Sequence, residues 1–201
     1  MCIRDRDGAV VDRAAGALHD AVRWPVSVTT GDWIEPETRR RKTLVQHWHE
    51  PDATSVNVHE DAAFDVMRSI MGLGIGVEAG LWTVEDAEAL VRSGLADRVQ
   101  RILIEPRDPA PQEALQAAAA IHAVLDRADA LAPRLQHGED ATAWLLLEDA
   151  IRRQVETRIG LEDVLVLPDG SPAADNAALV AAARALGAGR PGSEDRPAND
   201  V

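Results

Sequence analysis

"TRIGLED", residues 157–163, opens the longer run "TRIGLEDVLVLP" (157–168). Apolar alternation through this run reads as a β-strand. Successive side chains of a strand point to opposite faces, so Arg158, Gly160 and Glu162 share one face and Ile159 and Leu161 take the other. A cation and a carboxylate turned inward are costly unless they are paired or bound to a metal. Gly160 between them leaves room above for a ligand, and Asp163 follows at the strand exit. Two readings stand side by side: a structural ion pair, or a catalytic cluster of arginine, metal-ligand carboxylate and acid/base group.

Five similar runs precede this one: "WPVSVTTG" (24–31), "ATSVNVHE" (53–60), "GIGVEAGLW" (74–82), "RILIEPR" (101–107) and "PRLQHGE" (133–139). Helical patterns lie between them. Phe64, Met67, Ile70 and Met71 mark one helical face ahead of a capping Gly72, and Val84, Ala87, Leu90, Val91 and Leu95 mark another. Glu35-Pro36 signals a helix start, "LQAAAAIHAVL" (115–125) is helical by composition, and residues 7–24 read as an amphipathic helix. Strand–helix alternation of this kind predicts a parallel sheet with right-handed crossovers, either an open doubly wound sheet or a (β/α)8 barrel. Most runs end in polar or small residues: Thr30-Gly31, Asn57 with His59, Glu78, Glu105, His137 and Glu162-Asp163. Polar ends on so many successive strands favour a barrel, where they share one mouth, over an open sheet with a single switch point. A full barrel takes about 250 residues. With six of eight units in this chain, the first strand, first helix and second strand are expected to be absent. One barrel domain over residues 1–186 and a disordered Gly/Pro-rich tail over 187–201 follow.

Within the strands, Ser55 and Asn57 offer neutral donors and acceptors to a polar substrate. Glu78 shares its face with Gly76 and Gly80, a carboxylate beside open space. The formal net charge of −13 argues against a nucleic-acid surface. The basic run Arg39-Arg40-Arg41-Lys42 reads as a solvated helix face or, more sharply, as an anion or coenzyme-phosphate contact. The single cysteine, Cys2, excludes an internal disulfide and suits a reducing compartment. With no apolar run of membrane-spanning length and no apolar core for a secretion signal, a cytoplasmic location is expected. "MCIRDR" (1–6) reads as a chain starting in mid-element or as a scar fused to a truncated gene.

"TSVNVHE", "GIGVEAGLW", "RILIE", "HGED" followed by "AW", and "RIGLEDVLVLPDGSPAADNAALV" together resemble the β-keto acid cleavage enzymes, typified by the 3-keto-5-aminohexanoate cleavage enzyme. The resemblance runs from Arg4 to Gly187, and "RIGLED" with the following "LPDGS" is its specific part. It implies a zinc-dependent (β/α)8 barrel that exchanges acyl groups between a β-keto acid and acetyl-CoA, giving acetoacetate and a new acyl-CoA by a retro-Claisen route. Carried over by motif, the resemblance implies that Glu162 is the zinc-binding carboxylate and that Arg158 and Asp163 manage proton transfer and developing charge. Ser55, Asn57 and Glu78 resemble its substrate contacts, and Thr30-Gly31 resembles the loop that holds the substrate carboxylate. A metal would polarise the keto oxygen as a Lewis acid, and donors would wait at the oxyanion position.

The family's other zinc ligands, two histidines in an H-x-H, precede an "RD–DG" turn. "RDRDG" (4–8) matches that turn, and Met1-Cys2-Ile3 stands where the histidines would be. The family's first strand, with its catalytic glutamate, is expected to be absent. Catalytic zinc needs about three protein ligands, so turnover by this chain is open. His47 and His49 have H-x-H spacing but fall in a helix-to-strand turn, where an exposed or interface role is expected. His137 is either a substrate contact or a structural hydrogen-bonding group. His59 is a candidate for substrate choice, His19 and His122 for structural roles, and Trp24, Trp33 and Trp82 for contacts to ligand or partner. The expected partners are the β-keto acid, acetyl-CoA and, for the full-length form, further copies of the chain. Another divalent-metal aldolase or lyase barrel, and a non-catalytic fragment, remain as alternatives.

Overall fold

The computed structural model of the protein describes residues 7–32, 34–107 and 110–189. The expectations for "MCIRDR", Cys2, Trp33 and nearly all of the 187–201 tail fall outside those residues. The described residues carry five strands and seven α-helices in alternation. They belong to two compact units, one within Met1–Ile104 and Ala119–Pro133, the other within Glu105–Ala118 and Arg134–Val201.

The first unit runs α1 (Gly8–Ala21), β1 (Ser27–Thr29), α2 (Thr38–Val45), β2 (Ala53–Asn57), α3 (Ala63–Met71), β3 (Gly76–Leu81), α4 (Val84–Arg92) and β4 (Arg101–Ile104). Each strand pairs in parallel with the next, and the register sets Thr29, Ser55, Glu78 and Arg101 side by side. Parallel strands are covered on both faces, and Val56, Val77, Ala79, Leu81, Ile102 and Ile104 are accordingly buried. The helices follow the 3.6-residue pattern. In α3, Val66, Met67 and Ile70 are buried while Phe64 and Met71 lie at its margin. The start of α4 is fixed by a capping box: Thr83 Oγ1 accepts from the Asp86 amide at 3.2 Å, and Asp86 accepts from the Thr83 amide at 3.0 Å.

The second unit holds β5 (Arg134–Gln136), a single 3-10 turn (Asp140–Thr142), α6 (Ala143–Arg153) and α7 (Asn176–Leu186). A further helix, α5 (Pro111–Arg127), has its first residues in this unit and its last in the other. Ala143, Val164 and Leu179 form a buried cluster against which Trp144, Ile159, Leu167 and Ala173 pack. Gln136 is fully buried and donates both to the Leu146 carbonyl (2.9 Å) and to Asp149 (3.0 Å).

The sixth expected strand does not form. Glu156 makes one parallel bridge to Leu135, and the ladder ends there. The chain then turns, with the Asp163 and Val164 amides both donating to the Gly160 carbonyl and the Leu161 amide donating to Asn176 Oδ1 at 2.7 Å. Alternation of Ile159 and Leu161 mimics a strand, but the Leu161, Asp163 and Val164 amides donate to side-chain and turn acceptors rather than to a neighbouring strand. The α/β class and the parallel pairing agree with expectation, and a barrel-like fold is consistent with them. The strand pairs within the units do not close a ring.

The basic run is also not one solvated face. Arg40 pairs with Glu35 (3.0 Å) and Lys42 with Asp65 (3.0 Å) near the surface, but Arg41 is 1% exposed. Its guanidinium stands 3.3 Å from Glu60 and donates to the Asp61 carbonyl. Helical periodicity turns one residue of a consecutive charged run toward the core, and here a buried carboxylate receives it.

Asp149 gives the second unit a pH-dependent brace. Burial alone would raise its carboxyl, but hydrogen bonds from Arg153 (2.6 Å), Gln136 and Arg152 (3.1 Å) hold it below its ordinary value of 3.8. A carboxyl lowered in the folded state stabilises the fold at pH above the unfolded value. That contribution is lost as pH falls through the lower, folded value. Asp149→Asn is therefore expected to lower the urea midpoint near neutral pH and to flatten its decline below about pH 4, measured by fluorescence-detected unfolding across that range. An unchanged acid limb would remove this assignment.

Candidate functional site

The first-unit candidates sit on and just after β1, β2 and β3. Glu78, 8% exposed, accepts from Ser27 Oγ at 2.7 Å and from Arg101 Nε at 2.9 Å. Strand register brings these three together: Arg101 stands directly opposite Glu78, and Ser27, level with Gly76, lies two residues away on the same face. Thr30 is fully buried and donates its hydroxyl to the Ser55 carbonyl at 2.9 Å. The amide of Gly31 donates to Thr29 Oγ1 at 3.2 Å. The side chain of Ser55 is half-buried between Thr29 and Glu78 in the register. Asn57 donates to Glu60 Oε1 at 2.9 Å. Burial raises the Glu60 carboxyl above its ordinary value, against the opposing Asn57 hydrogen bond and the Arg41 charge.

The two glycines flanking Glu78 are not beside open space. A β-carbon on Gly76 would stand 1.4 Å from Gln100 Oε1, and one on Gly80 would stand 2.3 Å from Asn57 Oδ1. Each glycine makes room for a neighbouring side chain. The Asn57 amide is therefore wedged, its oxygen over Gly80 and its nitrogen on Glu60. Gly80→Ala is expected to cost about 1–3 kcal/mol by overpacking. The cost should shrink in the Asn57→Ala background, where the obstructing amide is gone. Urea unfolding of the two single variants and the double variant checks this, and additive losses would show that Asn57 is not the obstacle.

The second-unit candidates gather around Asp163. The Gly160–Val164 turn carries Asp163 inward, leaving it 4% exposed. Its backbone carbonyl accepts from the Asp140 amide at 2.7 Å. Arg158 Nη2 donates to its Oδ1 at 3.1 Å, and His137 Nδ1 stands 3.3 Å from the same oxygen. Burial alone would raise the Asp163 carboxyl. The contact with His137 and the charges of Arg158 and His137 outweigh it and hold the group below the usual carboxylate value.

His137, 1% exposed, has a second carboxylate on its other nitrogen, with Glu105 Oε2 at 3.7 Å from Nε2. Arg107 Nη1 bridges Glu105 (2.9 Å) and Glu139 (2.5 Å). Burial and the neighbouring Glu105 raise the Glu139 carboxyl, despite Arg107. Glu162 is exposed beside the buried Asp163. Adjacent residues of a turn can face opposite ways, and the expected shared face of Arg158, Gly160 and Glu162 is replaced by an Arg158–Asp163 pair. Gly160 has limited room: a β-carbon there would stand 3.3 Å from Asn176 Oδ1. Arg158 also lines a cleft of about 340 Å³ with Leu147, Ile159, Val180 and Arg184.

A sequence-family comparison matches residues 5–192 to the beta-keto acid cleavage enzymes. The chain belongs to this family. The resemblance carried by "RIGLED" and its companion motifs is borne out, and membership suggests β-keto acid cleavage as the class of activity. Among solved structures, the chain is similar to 3-dehydroquinate dehydratase from Geobacillus kaustophilus HTA426, with a TM-score of 0.57 and 13% identity over 90% of this chain and 73% of that one. At that identity the likeness bears on fold alone. A comparison with curated proteins finds no match.

Beta-keto acid cleavage enzymes are metal-dependent. Among the described residues, no three of His, Cys, Asp and Glu are grouped to hold a metal ion. Glu162 therefore has no companion ligands there, and the described residues do not fit a zinc centre. His47 and His49 are both exposed, and the His49 backbone amide donates to Asp12. His19 bonds Asp52 at 2.7 Å, and His122 is buried. The exposed ring of His59 lies 3.9 Å from Trp82, centroid to centroid. Glu105 and His137 were legible in the sequence only as strand-end polar groups. Arg107 and Glu139 lacked any signal beyond flanking them.

No helix among the described residues is long and apolar enough to cross a membrane.

Proposed function

We propose that the chain catalyses retro-Claisen acyl exchange on a (β/α)8 barrel plan, turning a β-keto acid and acetyl-CoA into acetoacetate and a new acyl-CoA. The family match over residues 5–192 carries this reading, and the Asp163 cluster supplies residues suited to it. Asp163 is the base. Held ionised by Arg158 and His137, it accepts a proton from the carbon between the two carbonyl groups. Arg158 offsets the negative charge that develops. The carbanion attacks the thioester carbonyl of acetyl-CoA and expels the CoA thiolate. The thiolate then attacks the keto carbonyl, the original carbon–carbon bond breaks, and the proton on Asp163 returns to the departing acetoacetate. Thr30, Gly31, Ser55, Asn57 and Glu78, all of the first unit, are the proposed substrate contacts. No step is routed through zinc, because the described residues do not assemble its ligands.

The test is to incubate the purified chain with a panel of β-keto acids, with and without acetyl-CoA and added zinc, and to measure acetoacetate. Acetoacetate formed only when acetyl-CoA is present is the expected result. Cleavage independent of acetyl-CoA, or none with any substrate, would overturn the proposal.

A further inference from the structure

The geometry points to His137 as a positioning residue, braced from behind by Glu105, that fixes the Asp163 carboxylate in the orientation from which it exchanges a proton with substrate. This rests on the function proposed above. The histidine is 1% exposed, and its two ring nitrogens face two different carboxylates, Asp163 Oδ1 at 3.3 Å and Glu105 Oε2 at 3.7 Å. Neither contact is aligned as a hydrogen bond. Polar groups this deeply buried are nearly always hydrogen-bonded, and an exception calls for an explanation. A ring held between two acceptors can tighten onto one of them when the other shifts, which suits a group that must hold a moving carboxylate.

The rest of the network gives the brace its stiffness. Glu105 is fixed by Arg107, and Arg107 by Glu139. On the far side, Asp163 is held by Arg158 and by the Asp140 amide that donates to its carbonyl. Asp163 thus has one partner, Arg158, that is 39% exposed in its side chain and able to meet substrate. The other, His137, is sealed away. A sealed partner orients without touching the reacting atoms.

The two amide replacements separate this role from mere packing. The side-chain nitrogen of asparagine falls near the place of Nδ1, so His137→Asn keeps a donor toward Asp163. That of glutamine falls near Nε2, so His137→Gln keeps one toward Glu105 only. His137→Asn is expected to stay within about threefold of the parent kcat, while His137→Gln loses about 10- to 100-fold with little change in KM, the scale of a small misplacement of a reacting group. Glu105→Gln should fall between them. Thermal unfolding of His137→Gln, Asp163→Asn and the double variant should show a Tm loss smaller than the sum of the single losses.

Equal losses of kcat in the asparagine and glutamine variants, a rise confined to KM, or additive Tm losses would each overturn the positioning role. A parent chain with no acetyl-CoA-dependent cleavage would instead remove the proposed function, and this role with it. An active parent with indifferent variants would remove this role alone.

Discussion

Asp163→Asn is expected to lower the rate of the proposed acetyl-CoA-dependent β-keto acid cleavage by about 10²–10⁴-fold, the usual worth of a positioned acid–base group. The replacement is close to isosteric and keeps the backbone bonds to Gly160 and Asp140. It removes the one buried carboxylate that both Arg158 and His137 approach. The loss should fall mainly in kcat, since an amide can still occupy the site but cannot take a proton. Part of the Arg158 pairing is screened, because that side chain is 39% exposed, so the stability change should be smaller than for a sealed pair. Circular dichroism checks that the fold persists, and steady-state kinetics checks the rate. A variant retaining more than about a tenth of the parent kcat would exclude Asp163 as the base.

The largest stability effect is expected at Arg41. Arg41 and Glu60 have side chains 1% and 0% exposed, 3.3 Å apart. Arg41→Met leaves Glu60 buried without its cation and strips the donor from the Asp61 carbonyl. Breaking one partner of a buried pair costs about 3–5 kcal/mol. Replacing both partners by apolar residues of similar volume is often neutral or even stabilising, so Arg41→Met with Glu60→Met should recover much of the loss. The recovery cannot be complete, because Asn57 donates to Glu60 and would lose its acceptor. Urea unfolding of the single and double variants decides the matter. A double variant less stable than Arg41→Met would show that Glu60 is needed chiefly for Asn57.

Arg41 also shows where sequence reading reaches its limit. Four consecutive basic residues look like one solvated surface, and nothing local marks the member that turns inward. What buries it is a carboxylate nineteen residues along, a contact invisible to periodicity. The helices themselves were legible, because Met67 and Ile70, or Ala87 and Leu90, recur at the spacing that a buried face requires. The parallel strand–helix alternation was legible for the same reason.

Residues 157–168 mislead in the opposite direction. Their alternation is real, and Ile159 does pack against the Val164 and Leu179 cluster. A strand, however, also needs a partner for its backbone, and Asn176 claims the Leu161 amide from fifteen residues away. Motif resemblance pointed to Arg158, Glu162 and Asp163 alike, whereas the inward turn of Asp163 and the outward turn of Glu162 depend on backbone geometry that alternation cannot supply. Gly76 and Gly80 teach a similar lesson. A missing side chain signals close approach, but not whether the visitor is a ligand or, as at Gly80, the amide of Asn57.

The ties from Ser27 and Arg101 to Glu78 span three pairings of the first-unit sheet. If β4 slid by one residue during assembly, Ile102 would stand where Arg101 now meets Glu78, stranding a carboxylate against an aliphatic chain and turning a guanidinium into the apolar layer. Mis-threaded pairings thus carry a penalty that purely aliphatic strands would lack. Neutralising Glu78 should therefore appear in heterogeneous refolding products.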